Sequence, residues 1–352
     1  ISAPGSDLNL GQSGDSVKIA SAVKLPTAGA LSHRNLLKNG AMQIAQRATQ
    51  VTGQTSTGYK TCDRWRINIS SLGTWTIDQS TDAPAGFAKS LKLTCTTAKA
   101  SPGGGNNMIV QQRLEGHDLQ SLAWGTSSAK EFTISFYVKS SKAGNASFAV
   151  LNNDNSNIMV SFQYTISSAN TWEYKTITVP AYTAGAFDDD NARSMQLEWW
   201  LNSGDTYTGA GTHQTEWAAL SQTERNASNL GIGGAVNDTW QLAGVQMEVG
   251  SEATPFEHRS YCDELARCQR YYQEAGVILS NTSPDRYYAT INLPVTMRDS
   301  PTISSGNIDS GSGGAMLALF SRDGANTNKT QFYQGTSNSV ISNAWFKFDD
   351  EL

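Results

Sequence analysis

Alternation at a period of two runs through nearly every patterned segment between about residue 35 and residue 255, and this constrains the fold more than any other feature. That spacing sends successive side chains to opposite faces of a strand, whereas a helix would repeat its apolar positions every three to four residues. The clearest run is Phe132-Thr-Ile134-Ser-Phe136-Tyr-Val138-Lys139. Its Phe132, Ile134, Phe136 and Val138 point to a core, leaving Thr133, Ser135, Tyr137 and Lys139 to face outward or across a second interface. Similar runs fall at 65–69, 75–78, 90–94, 108–113, 147–151, 160–165, 172–179, 195–201 and 240–249, separated by Gly/Asn/Ser/Asp clusters. About ten strands without interleaved helices predict a mainly β chain, an antiparallel β-sandwich of jelly-roll-like type.

Composition removes several other classes. Charged residues are only 16% of the chain, and it carries 9 Trp, 12 Tyr and 11 Phe, which a disordered polypeptide would lack. The balance of 26 Lys+Arg against 31 Asp+Glu has no basic stripe, so no nucleic-acid partner is expected. No apolar run approaches the ~18 residues that cross a bilayer, so membrane insertion is not expected. The opening ten residues show neither the basic nor the apolar region of a signal peptide. Four cysteines, Cys62, Cys95, Cys262 and Cys268, could form two bridges. Cys262 and Cys268, however, are six apart on an expected helix, about 240° around its axis, and isolated cysteines in a core-rich chain are read as free thiols.

Three further units flank or follow the sandwich at 35–259. Residues 1–34 carry two short alternating runs around a Gly-containing turn within 7–19, the signal of a hairpin. A lone hairpin is marginal in water, so this segment is expected to form an oligomeric stalk covered by other chains, with a floppy N-terminal extension as the alternative. Residues 260–276 predict a connecting helix running to about 275, with Ser260 as N-cap, Asp263 three residues on, and Leu265, Ala266, Gln269 and Tyr272 on one stripe. Residues 277–352 read as a smaller β-rich unit, with strands expected at 287–295, 302–305, 315–321, 329–333 and 344–348.

The run Asn35-Leu-Leu-Lys-Asn39-Gly40-Ala-Met-Gln-Ile-Ala-Gln46-Arg47, followed by Asp63-Arg64-Trp65, resembles the opening of β-sandwich modules in tailed-bacteriophage tail fibres and receptor-binding virion proteins. Val245-Gln246-Met247-Glu248-Val249-Gly250, Ala253-Thr-Pro-Phe-Glu-His-Arg259 and Glu264-Leu-Ala-Arg-Cys-Gln-Arg-Tyr-Tyr272 are similar to the segment that closes them. Leu293-Pro-Val-Thr-Met-Arg-Asp-Ser-Pro301 fits a C-terminal strand of such proteins. The residues themselves suggest that these anchors determine the fold. Asp63-Arg64-Trp65 can seat an aromatic beside an ion pair, and Gln246 and Glu248 alternate with apolar neighbours on one closing strand. The resemblance implies a homotrimeric phage virion fibre that contacts other virion proteins through its N-terminal segment and a host surface polysaccharide through its sandwich. A structural adaptor or capsid-mounted fibre is the alternative, and a polysaccharide depolymerase a minor one.

Catalytic chemistry has little support in the residues. His33, His117, His213 and His258 are scattered, and no zinc or phosphate-loop motif occurs. A depolymerase would need two carboxylates across a groove, for which Glu198 and Asp205 are the candidates. A glycan-binding surface is the better reading. In 195–201, Met195, Leu197, Trp199 and Leu201 point inward, and Gln196, Glu198 and Trp200 take the opposite face. An outward Trp beside a carboxylate suits a sugar, whose apolar side stacks on the ring while polar neighbours fix its hydroxyls; it equally suits packing against a neighbouring chain. The following insertion of roughly 28 residues is longer than the usual connection and adds Asp205, Tyr207, His213 and Trp217. Asp188, Asp189 and Asp190 form a loop that could hold Ca²⁺, although without the spacing of a defined calcium loop; otherwise no cofactor is expected.

Overall fold

The computed structural model describes residues 32–277, 280–283, 286–288, 290–310, 318–320, 329–333 and 341–352. The hairpin expected within 7–19 lies outside them. Thirteen strands build the sandwich: β1 (Gln50–Gln54), β2 (Gly58–Tyr59), β3 (Arg66–Ser70), β4 (Thr74–Ser80), β5 (Ser90–Thr97), β6 (Asn107–Glu115), β7 (Phe132–Ser140), β8 (Gly144–Asn152), β9 (Ile158–Ile166), β10 (Glu173–Val179), β11 (Arg193–Ser203), β12 (Ala218–Ala219) and β13 (Thr239–Val249). They form an antiparallel six-stranded sheet in the order β1-β4-β5-β13-β7-β10 and a seven-stranded sheet in the order β12-β9-β8-β11-β6-β3-β2. The chain crosses repeatedly between the two, giving the expected antiparallel sandwich.

The alternation read in the sequence places the core. Phe132, Ile134, Phe136 and Val138 of β7 meet Met195, Leu197, Trp199 and Leu201 of β11 in one cluster. At its centre the Trp199 ring lies 4.9 Å from Phe148, 5.5 Å from Trp65 and 5.7 Å from Phe136. Strand β13 keeps its apolar residues inward only by changing phase. Trp240 and Leu242 face the core, a bulge between Ala243 and Gln246 inserts an extra residue, and Val245, Met247 and Val249 then face it too.

The anchor segments are tied to one another by buried hydrogen bonds. Asn35 donates from Nδ2 to the Val245 carbonyl (3.0 Å) and accepts from the Met247 amide (3.1 Å). Asn39 binds the Ile44 and Asp63 carbonyls (2.8 and 2.9 Å), and its own carbonyl accepts from the Trp65 indole (3.0 Å). Gly40 is required because a Cβ there would stand 2.1 Å from the Val245 oxygen. Glu248 accepts from Gln246 (2.8 Å) and from the Thr254 amide and hydroxyl (2.8 and 2.7 Å). Trp65 is buried as expected, yet Asp63 and Arg64 do not pair with each other. Asp63 takes the Gln46 amide and side chain (3.0 and 2.6 Å), whereas Arg64 pairs with Glu351 and stacks 3.4 Å from the Tyr271 ring centroid.

Helix α1 (Tyr261–Gln269) is the one α-helix among the described residues, and no described helix is long and apolar enough to cross a membrane. Ser260 caps it as expected, accepting from the Asp263 amide at 3.2 Å. The helix ends earlier than expected because Arg270 and Tyr271 both turn to Glu115, and Tyr272 opens the strand β14 (Tyr272–Val277). Its buried positions are accordingly Glu264 and Cys268, not the expected stripe through Tyr272. The C-terminal unit is β-rich as expected. It comprises β14 with β15 (Ser280–Ser283), β16 (Arg286–Tyr288), β17 (Thr290–Asn292), β18 (Thr302–Ser310), β19 (Ala318–Phe320), β20 (Lys329–Tyr333) and β21 (Ile341–Asp349). Its acidic end returns to the sandwich: Asp349 pairs with Arg47 (3.1 Å), Glu351 with Arg47 (3.2 Å) and Arg64, and the Leu352 carbonyl accepts from Arg113 (2.6 Å). All four cysteines are free thiols, three of them buried.

Candidate functional site

The structure corrects the exposed position expected for Trp200 and Glu198. Both take the face of β11 opposite the core, as the alternation requires, but both are 0% exposed because the long insertion folds back over that face. Tyr207 packs on Trp200 with ring centroids 5.0 Å apart, and Leu220 joins the same small cluster. Arg225 reaches Glu198 at 2.6 Å through Nη2 and 3.2 Å through Nε. Glu198 also accepts from Gln196 (2.5 Å), Gln111 (3.0 Å) and the Trp200 indole (3.0 Å), so both oxygens are saturated by donors.

The other expected site residues disperse. Asp205 stays exposed at the rim of the insertion, near Gly104. Trp217 leaves the group altogether: it donates to the Pro180 carbonyl (2.8 Å) and meets Trp124 edge-on at 5.0 Å, in an aromatic cluster with Tyr182. His213 sits between Ser161 (3.3 Å) and Ser228 (3.0 Å), and partial burial lowers its pKa. The Asp188–Asp190 loop is outward but turns to separate partners. Asp189 contacts His117 (2.8 Å), Asp190 accepts from the Ala192 amide (2.9 Å), and the Asp188 amide donates to Asp154 (3.1 Å). Among the described residues no group of three or more His, Cys, Asp or Glu side chains is placed to hold a metal ion.

An open aromatic surface lies instead on the outer face of the six-stranded sheet. Register pairs Tyr174 of β10 with Tyr137 of β7, and their rings lie 5.0 Å apart. Phe87, from the loop between β4 and β5, continues the row 5.6 Å from Tyr137. Beyond it, Phe256 and His258 approach Phe87 at 4.9 and 5.2 Å. Tyr174 is 46% exposed, His258 is exposed, and Tyr137, Phe87 and Phe256 are half-buried. The bulge in β13 makes room for this row: Gly244 sits at φ +57°, and a Cβ on it would come within 2.6 Å of the Phe87 ring.

Polar groups flank the rings in the next row of the sheet. Register sets Gln241 beside Lys139. Asp82 accepts from Lys139 (2.9 Å), from Gln241 (3.1 Å) and from the Trp172 indole (3.2 Å). The hydrogen bond from Lys139 is the main cause holding the Asp82 carboxyl below its ordinary pKa. Half-exposed rings beside a fixed carboxylate, ammonium and indole can stack on an apolar ligand face while exchanging hydrogen bonds with its hydroxyls. The sequence marked Tyr137 and Lys139 as outward, and the alternation Tyr174-Lys-Thr176-Ile-Thr178 carries the same signal. Phe87 and Phe256 sit in loops and carry none.

No protein-family model matches the chain, and no curated protein does. Among solved structures, the enzymatically active domain of tailspike protein 4 from bacteriophage CBA120 overlays 61% of this chain at 12% identity and a TM-score of 0.32. This chain spans about a fifth of that tailspike's length, 21%. The N-terminal cellulose-binding domain of a β-1,4-glucanase from Cellulomonas fimi overlays 60% of the chain and 100% of its own, at 9% identity and a TM-score of 0.29. A family 11 carbohydrate-binding module from Clostridium thermocellum overlays 58% of the chain and 98% of its own, at 11% identity and a TM-score of 0.29.

Proposed function

We propose that this chain is a non-enzymatic phage virion fibre protein that binds a host surface polysaccharide through the outer face of its six-stranded sheet. The observation that carries the reading is the open row Tyr174–Tyr137–Phe87 beside the Asp82–Lys139–Gln241–Trp172 network. Neighbouring strands are about 4.8 Å apart, so rings from successive strands offer repeated stacking positions to a chain of sugars lying across the sheet. The virion setting is inferred from the anchor segments, whose buried hydrogen bonds suit a module framework.

A binding role accords better than hydrolysis with the state of Glu198, which is covered and donor-saturated and so unsuited to open acid-base chemistry. Each aromatic contact is worth about 0.5–1.5 kcal/mol, which makes a single site weak. In a homotrimer, binding at one site would raise the effective concentration at the next, converting weak contacts into firm attachment.

Affinity electrophoresis in gels containing host envelope polysaccharide tests the reading. Retardation of the wild type, lost in a Tyr137→Ala/Tyr174→Ala variant with unchanged circular dichroism, is the expected result. Migration indifferent to every envelope polysaccharide, with binding to a virion protein instead, would replace it with the adaptor role.

A further inference from the structure

The junction of α1 with the opening segment and the C-terminal unit forms an open cavity of about 650 Å³. This lies within the size range of small-ligand sites. One face of the helix lines it: Asp263, Ala266, Arg267 and Arg270 recur at the spacing that stacks side chains along a single stripe. Lys38 and Arg259 come from outside the helix, and Asp118 closes the lining opposite. Four cationic side chains therefore face this space against two carboxylates.

The basic groups are unequally committed. Lys38 pairs with Asp118, and Arg270 holds Glu115 at 2.7 Å. Arg259 binds the Leu37 carbonyl (2.9 Å), the Asn35 carbonyl, Glu264 (3.3 Å) and Glu257 (3.7 Å), while its Nε is buried with no hydrogen-bond partner in a side chain only 8% exposed. A buried donor left unmatched costs about 1–3 kcal/mol. Arg267 makes no ion pair among the described residues; its guanidinium contacts only the His33 ring, at 3.3 Å. Among the described residues every cation of the lining except Arg267 therefore already has a carboxylate partner, and Arg267 is the one left without an acceptor of negative charge.

We propose that this cavity binds a small oxyanion, a carboxylate or a phosphate, with Arg267 as its principal ligand. Guanidinium groups match both anions through paired N–H donors. None of the residues belongs to the aromatic face, so the two sites stand or fall separately.

The test is thermal unfolding and isothermal titration of the full chain with inorganic phosphate and, in a second arm, sodium glucuronate, each against sodium chloride at equal ionic strength. A site that binds only the folded state raises Tm in a saturable manner. The expected result is such a rise with at least one anion, and an affinity at least tenfold weaker in Arg267→Gln, with the variant's Tm in chloride unchanged. Partial recovery in Arg267→Lys is expected too. The arm that responds identifies which oxyanion is preferred. Absence of heat and of Tm shift in both arms, or the same affinity in Arg267→Gln, would overturn the proposal.

Discussion

Phe87 lies directly over Gly244, at a point where any side chain would collide with its ring. The two belong to different strands' surroundings, and only the bulge in β13 brings them together. Gly244→Ala should therefore act twice. It places alanine at φ +57°, which costs roughly 1 kcal/mol, and it displaces the ring from the aromatic row. The expected outcome is a Tm lower by a few degrees and weaker retardation in polysaccharide gels, measured on the same preparation.

Tyr137→Ala and Tyr174→Ala should each weaken polysaccharide binding by about twofold to tenfold, the equivalent of roughly 0.5–1.5 kcal/mol per ring. Trp200→Phe should leave binding unchanged, since Trp200 is sealed beneath the insertion. Equal loss in Trp200→Phe would return the site to the other sheet.

The Arg225–Glu198 pair fastens that insertion to β11. Removing one partner leaves a buried charge uncompensated, so Arg225→Met should cost about 3–5 kcal/mol in urea unfolding. The double variant Arg225→Met/Glu198→Met should recover much of the loss. Full additivity of the two single effects would mean that the pair is not coupled.

Burial raises the Asp63 carboxyl to about 6, despite hydrogen bonds from Gln46 and the charge of Arg47 that act the other way. A raised pKa in the folded state means that the protonated form is favoured there. The stability tied to this group is full below its ordinary value of 3.8 and is lost as pH rises through about 6. The gap corresponds to roughly 3 kcal/mol. Carboxyl NMR should find an Asp titrating near pH 6 that disappears in Asp63→Asn, and the variant's urea midpoint should fall less between pH 4 and 6.

Of the four thiols, Cys262 alone is exposed. A thiol reagent should label one cysteine rapidly in the native protein and all four after denaturation. Two or more fast sites would contradict the burial of Cys62, Cys95 and Cys268.

How far the fold was legible follows from the range of the interactions that set it. The faces of β7 and β11 could be assigned residue by residue, because alternation is local and Phe136 or Trp199 has one buried side available. Ser260 could be assigned as a cap for the same reason. The end of α1 could not, because Arg270 and Tyr271 are drawn away by Glu115, some 155 positions earlier. The site was legible only in part. Trp200 was assigned to the correct face, but the cover over it depends on Arg225 returning across 27 residues to Glu198. The aromatic row draws Phe87, Tyr137, Tyr174 and Phe256 from four separated segments, and no local pattern announces that they meet.

The docking of the acidic C-terminal residues joins the end of the chain's described part to its beginning. Because Arg47 and Arg64 both pair with Glu351, the residues that follow β21 are tied to the sandwich by charge as well as by the covalent path through α1, so loss of Glu351 would leave two buried or nearly buried guanidinium groups short of their counter-ion.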